Sequence, residues 1–298
     1  MMASGESGTI GCAVRLRGSA ELRGTVAAVF RRAVLVRTEG AFLVLGDESV
    51  APHPYAVTVP DTGARPFPGE AFHLTATELS IPGVLHLPVE GLREFTPRRS
   101  TPRLAAPGCV RGALAIALER VRSLPFRGGF HGLVRRPPEG DPLGEALLRI
   151  ARQRTRQVRE ALRRRDRAAL LESCEGLSGL GTGLTPSGDD YVAGVAAALR
   201  FLSESRGDPP PEGWLDLLAG SVESRTSGYS AFLVRCAARG QVSRPVSDWL
   251  EAILSGRREG VPAATDALVA MGHSSGVDAM AGMVHMLASM IEETPWIC

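Results

Sequence analysis

The sequence predicts an α+β protein. A small antiparallel β domain, sheet or barrel, is expected over residues 1–100, and a mostly helical domain from 109 onward. Three observations carry this. The first hundred residues are short runs rich in Val, Phe and Leu, punctuated by Gly, Pro and Asp, the rhythm of strands joined by turns. A proline-rich stretch follows, TPRRSTPRLAAPG (96–108); it reads as a connector, with 101–108 as the linker proper. Beyond it the apolar residues recur at helical spacing. A length of 298 residues suits two domains of ~100–200 residues.

In chain order, the strand candidates are GTVAAVF, RAVLVRT, AFLVLGD and PYAVTVP, then AFHLTATELSI and GVLHLPV. Pro82 and Pro88 put the last of these at a sheet edge, because proline cannot donate to a ladder. After the connector, CVRGALAIALERVRS has helical spacing, FRGGFHGLVRRPPEGDP reads as a loop, and LGEALLRIARQRTRQVREALRRRD is an amphipathic helix with an arginine-rich face. That face reads as solvated, since no aromatic residues interleave with it to stack on bases.

Composition removes several chemistries. All 34 basic residues are arginine, so a Walker lysine and a Schiff-base lysine are excluded. A net charge of +2 argues for neither nucleic acid nor a membrane surface as partner. The five cysteines form no C-x-x-C pair, which excludes a zinc ribbon or thioredoxin-like site. MMASGESGTIG lacks the apolar core of a signal peptide, and no apolar run approaches the ~18 residues of a membrane helix. The expected location is the cytoplasm, with reduced thiols.

One stretch concentrates unusual residues: GLGTGLTPSGDD, 179–190, leading into the apolar run YVAGVAAAL. It has an echo 88 positions on, in HSSGVDAMAGMVHML. At that offset Ser187 meets Ser275, Gly188 meets Gly276, Asp190 meets Asp278, Gly194 meets Gly282 and Leu199 meets Leu287. The pattern S-G-x-D-x-x-x-G before an apolar helix has two readings. It can be a capping box, with the serine oxygen on a free backbone N–H and the carboxylate reaching back. It can also be a pair of ligand-binding helix starts, because glycine-rich helix N-termini hold anions. The cap needs neither Asp189 nor the glycines Gly181 and Gly183, nor His273 and Ser274. Gly194 and Gly282 lie inside helices, where glycine costs ~1 kcal/mol against alanine, and so are read as close helix contacts.

On the site reading, Gly181, Gly183, Thr185, Ser187 and Gly188 cradle the ligand from one side, and Ser274, Ser275, Gly276 and Asp278 from the other. Asp189, Asp190 and His273 are the candidate catalytic groups. Arg225, Thr226 and Ser227, in ESRTSGYS, are a third hydroxyl-rich helix start whose arginine could pair with a carboxylate or phosphate. No metal is required; Mg²⁺ at Asp189 and Asp190 stays open. Arg127 and His131, in FRGGFHG, are weaker candidates, for which a flexible surface loop is the plainer reading. His53, His73 and His86 lack ligand spacing and are read as structural or exposed.

GLGTGLTPSGDDYVAG with GHSSGVDAMAG some ninety residues later closely resembles the AllH-type family, members of which are subunits of bacterial oxamate carbamoyltransferase. The resemblance covers mainly 175–290. It implies a cytoplasmic multi-subunit assembly that converts oxalurate and phosphate to oxamate and carbamoyl phosphate in the breakdown of purines through allantoin. It assigns no catalytic residues, so the roles above rest on chemistry. Two other functions remain open: a Mg²⁺-dependent hydrolase of helical fold, and a non-catalytic ligand-binding or assembly subunit.

Overall fold

The computed structural model describes residues 8–16, 18, 20–59, 66–97, 102–135, 137 and 140–291. The first seven residues, the centre of the proline-rich connector and Cys298 lie outside these. Two compact units divide the chain, Met1–Arg99 and Ser100–Cys298.

The first unit is one curled sheet. Its strands are β1 (Thr9–Gly11), β2 (Glu21–Val29), β3 (Ala33–Thr38), β4 (Phe42–Gly46), β5 (Ala56–Thr58), β6 (Ala71–Thr75), β7 (Glu78–Ile81), β8 (Leu85–Pro88) and β9 (Arg93–Phe95). Their order is β8-β7-β6-β2-β3-β4-β5-β1-β9. Period-two alternation sends Leu43 and Leu45, Phe72 and Leu74, and Leu79 and Ile81 to one core with Ile10, Val26, Val36 and Val57. Pro88 sits on the terminal strand β8, as its missing N–H requires.

The sheet is mixed rather than wholly antiparallel. β4 pairs with β5 and β1 with β9 in parallel, while the remaining described pairings are antiparallel. Parallel pairing needs a crossover instead of a hairpin, and short evenly spaced runs do not reveal one. In this unit His53 Nδ1 accepts from the Tyr55 N–H at 3.1 Å, and His86 lies on the edge strand beside Glu78.

The second unit is helical: α1 (Pro107–Ser123), α2 (Pro142–Arg164), α3 (Arg167–Glu175), α4 (Ser187–Arg206), α5 (Trp214–Glu223), α6 (Gly228–Ala238), α7 (Arg244–Leu254), α8 (Val261–Val269) and α9 (Ser275–Met290), with a 3-10 helix at Gly129–Leu133. In α2, Leu148, Ala151, Thr155, Val158 and Leu162 form the buried stripe; Asp141 starts the helix by accepting from the Gly144 N–H at 2.9 Å. Most of its arginines are exposed, but Arg159 is half-buried. Its charge acts on Tyr191 and His285.

α4 and α9 are buried nearly all round, the pattern of helices inside a core. They cross at their glycines. A Cβ on Gly194 would lie 2.0 Å from the carbonyl oxygen of Ala279, and one on Gly282 would lie 2.0 Å from that of Tyr191. Tyr191 and Ala279 stand at the same 88-residue offset as the two glycines, so the contact is reciprocal. Only a missing side chain allows the backbones this close. Around the crossing, Tyr191 packs on Phe130 and hydrogen-bonds His285 Nδ1 at 2.8 Å. Burial, with the Arg159 charge, lowers His285 to about 3.

Gly194→Ala or Gly282→Ala is expected to push the helices apart and destabilise by about 1–3 kcal/mol. Gly220→Ala is the control. Gly220 is also helical, but a Cβ there meets nothing within 4 Å, so its variant should match or exceed the parent. Denaturant midpoints of the three variants check this, and equal midpoints would show that the crossing is slack.

Candidate functional site

The crossing brings the first turns of α4 and α9 together. The capping box does not form at either. Pro186 and Ser274 occupy the N-cap positions, Ser187 and Ser275 are already the first helical residues, and neither helix has a side-chain cap hydrogen bond. The serines turn instead toward the opposite helix. Thr185 Oγ1 donates to Asp190 Oδ2 at 3.1 Å and lies 3.2 Å from Ser275 Oγ. The Ser275 hydroxyl in turn favours the ionised form of Asp190, and that of Ser187 the ionised form of Asp278.

A third segment closes the cluster. The 3-10 helix at Gly129–Leu133 lays its backbone across both helix starts, and the Phe130 N–H donates to Asp278 Oδ1 at 2.6 Å. Gly129 has φ of 52°, and a Cβ there would fall 2.6 Å from Asp278 Oδ1 and 2.8 Å from Ser187 Oγ. Glycine therefore serves both the left-handed backbone and the close approach. Gly181, at φ 121°, does the same on the other side: its Cβ would lie 2.7 Å from the Ser187 nitrogen.

At the centre are two buried carboxylates. Asp278 is fully buried, and its Oδ2 has no hydrogen-bond partner. The Ser187 and Ser274 hydroxyls lie near enough to favour its charge, but neither bonds Oδ2 with acceptable geometry. Burial raises Asp278 to about 6, against the pull of the Phe130 N–H, the two hydroxyls and His273. Asp190 is pushed well above the usual carboxylate range, by burial first and then by the charge of Asp278. Tyr229, at the start of α6, is pushed well above the ordinary tyrosine range by burial and then by Asp190. His273 is exposed at the rim, its Nε2 4.0 Å from where a Cβ of Gly128 would stand.

The remaining candidates divide. Gly183 has φ of 102° in the exposed part of the first loop. Gly188 and Gly276 let the first turns sit on earlier backbone, 1.9 Å from the Leu177 oxygen and 1.8 Å from that of Leu268 for a Cβ at each. Asp189 points away from Asp190, because adjacent helical side chains diverge by about 100°. It is buried and accepts from the Gly179 N–H at 2.9 Å, the Ser230 hydroxyl at 2.8 Å and the Thr226 hydroxyl. It is a clasp between the first loop and α6. The Asp189–Asp190 pair therefore does not converge on a point, and no group of three or more His, Cys, Asp or Glu suited to a metal occurs among the described residues.

Ser227 does cap α6, accepting from the Ser230 N–H at 3.1 Å, and it donates to the Leu184 oxygen at 3.2 Å. Arg225 runs along the surface to Glu175, 3.7 Å away, and not to the carboxylate pair. His131 is buried in the 3-10 helix. Its Nδ1 accepts from the Arg127 N–H at 3.2 Å, its Nε2 lies 3.3 Å from the Val121 oxygen, and its ring stacks on Phe126. The FRGGFHG stretch is thus a packed turn instead of a flexible loop, and Gly128, Gly129 and the Phe130 N–H are the site groups that residue-type reasoning passes over. The Gly-Gly pair was the available signal; for Tyr229 there was none.

The clasp gives a test. Asp189→Ala leaves three donors without their acceptor and should destabilise by about 1–3 kcal/mol, read as a lower denaturant midpoint. A parent-like midpoint would mean that water or another group replaces it.

No helix among the described residues is long and apolar enough to cross a membrane. No solved structure matches the chain. Residues 177–287, which include both helix starts and the crossing that joins them, match the family model of oxamate carbamoyltransferase subunit AllH.

Proposed function

We propose that this chain is a subunit of an oxamate carbamoyltransferase-like assembly, and that the paired starts of α4 and α9 bind its small anionic ligand. The reaction would be that of the resembled enzyme, oxalurate and phosphate going to oxamate and carbamoyl phosphate, carried out in the cytoplasm with other subunits of the complex. One observation supports the ligand site above all. The stretch matched by the family model brings two helix N-termini onto a buried carboxylate oxygen that has no partner. Helix N-termini favour the anionic part of a ligand, and Asp278 Oδ2 is an acceptor for its N–H groups. Asp190, Ser187, Thr185, Ser274, Ser275 and His273 complete the site, with Gly129 and Gly181 keeping it open. Asp189, Thr226, Ser227 and Arg225 support it from behind. The proposal also treats 1–100 and 109–298 as separate domains joined by 101–108.

The Mg²⁺-dependent hydrolase reading loses the ligand pair that motivated it, since Asp189 and Asp190 diverge. A non-catalytic binding subunit would share the site and differ only in turnover.

Thermal melts with oxamate, oxalurate, carbamoyl phosphate, phosphate and Mg²⁺, alone and with partner subunits, test the reading. A ligand at 100-fold its dissociation constant should stabilise by about 2.7 kcal/mol. Gly129→Ala, which fills the space between Asp278 and Ser187, should fold and lose that shift. If no compound of the panel raises the wild-type melting temperature in either setting, the ligand assignment is wrong.

A further inference from the structure

Asp190 and Asp278 stand at equivalent positions of two helices, and the glycine crossing carries them to one place. Both are buried, Asp278 completely. Neither has an ion-pair partner among the described residues. Their polar neighbours are hydroxyls and a backbone N–H: Thr185 and Ser275 for Asp190; Phe130 N–H, Ser187 and Ser274 for Asp278. The titratable groups nearest them are Tyr229 on α6 and His273 ahead of α9, with Asp189 next to Asp190 on α4 but turned away into its clasp. Arg127, from the segment before the 3-10 helix, turns its guanidinium to the Gly272 oxygen at 3.5 Å. Two helix N-termini offset part of one negative charge. Two ionised carboxylates without a cation repel each other in a poorly solvated place, which favours keeping one neutral.

We propose that Asp190 and Asp278 hold one proton between them and act as a single acid–base group for the bound ligand. Asp190 is the member that keeps the proton, and Asp278 is the ionised one. A neutral Asp190 adds an acidic proton donor beside the backbone N–H groups of the two first turns. The transfer step rests on the function proposed above; the shared proton does not. In carbamoyl transfer, phosphate oxygen bonds to the carbamoyl carbon and the carbon–nitrogen bond to oxamate breaks. The neutral carboxyl passes its proton to the departing nitrogen, and the ionised one takes the proton of the attacking phosphate hydroxyl. The pair ends with one proton, as it began.

The sign of the pH effect follows from burial. A carboxyl raised in the folded state adds stability that is complete below its unfolded value and lost as pH rises through its folded value. For Asp278 that window runs from near 4 up to about 6. Asp278→Asn lacks this loss, so its melting temperature should gain on wild type by several degrees between pH 4 and pH 7. Taking the difference cancels the titrating groups outside the pair, and the downward move of Asp190 adds to the loss that the variant escapes.

Isotope-edited infrared spectroscopy of the full chain, labelled at the aspartate carboxyls, reads the proton directly. Wild type should show a protonated carboxyl band at pH 7. Asp190→Asn should lose it, and Asp278→Asn should move its titration to lower pH because the like charge is gone. A wild-type spectrum without the band at pH 7 overturns the proposal. So does a reconstituted assembly in which Asp190→Asn transfers carbamoyl groups at the wild-type rate. If Asp190→Asn does not fold, the wild-type band and the Asp278→Asn titration still decide. A protonated pair in an assembly that transfers nothing would sink the functional reading and leave the shared proton standing.

Discussion

The backbone contact between α4 and α9 sets everything else in the helical unit. Two helices that approach through glycine, each with its glycine against the other's carbonyl, must cross within two turns of their N-termini. Those N-termini therefore meet. The aspartate one turn into each helix is then buried beside its counterpart, and the loops before the helices are drawn over the same spot. The site is a consequence of packing as much as of its polar residues. A methyl group at the crossing would move Asp190 and Asp278 without touching either.

The same geometry explains why neighbouring carboxylates have different work. Asp190 and Asp189 are one residue apart, but a helix turns them to different sides. One faces Thr185, Ser275 and Asp278. The other is saturated by an amide and two hydroxyls from Gly179, Thr226 and Ser230. A saturated buried carboxylate holds structure together. A buried carboxylate oxygen with no partner, such as Asp278 Oδ2, raises the question of what meets it.

Much of this was legible in the sequence. Alternation marked the longer strands because one face of each is buried, and the 88-residue echo marked α4 and α9 with their glycines. β1 and β9 were not legible, since three residues are too few to show a period. The parallel pairings were hidden because strand runs do not say how they are connected. At the site, Ser187, Asp190, Ser275 and Asp278 stood out, but their spacing equally fitted a capping box. Only the phase of the helix start, with the N-cap one residue before each serine, separates the two. The roles of Asp189 and Ser227 depended on partners distant in sequence, which spacing cannot supply. Gly129 was overlooked because a Gly-Gly pair normally signals a loose turn, whereas here it fits backbone between two helix ends.

The parallel pairing of β1 with β9 has a consequence for how the chain is made. Thr9 pairs with Arg93 and Gly11 with Phe95, so the first described strand of the unit pairs with the last. Hairpins such as β2–β3 and β3–β4 join neighbours and can zip early. β1 meets β5 only after Val57 and Thr58 have emerged, and its other edge stays unpaired until Phe95 has. Loop closure over such a span is slow compared with local pairing. During synthesis the growing chain therefore exposes an open strand edge, the feature that invites wrong partners, until nearly the whole unit has been translated.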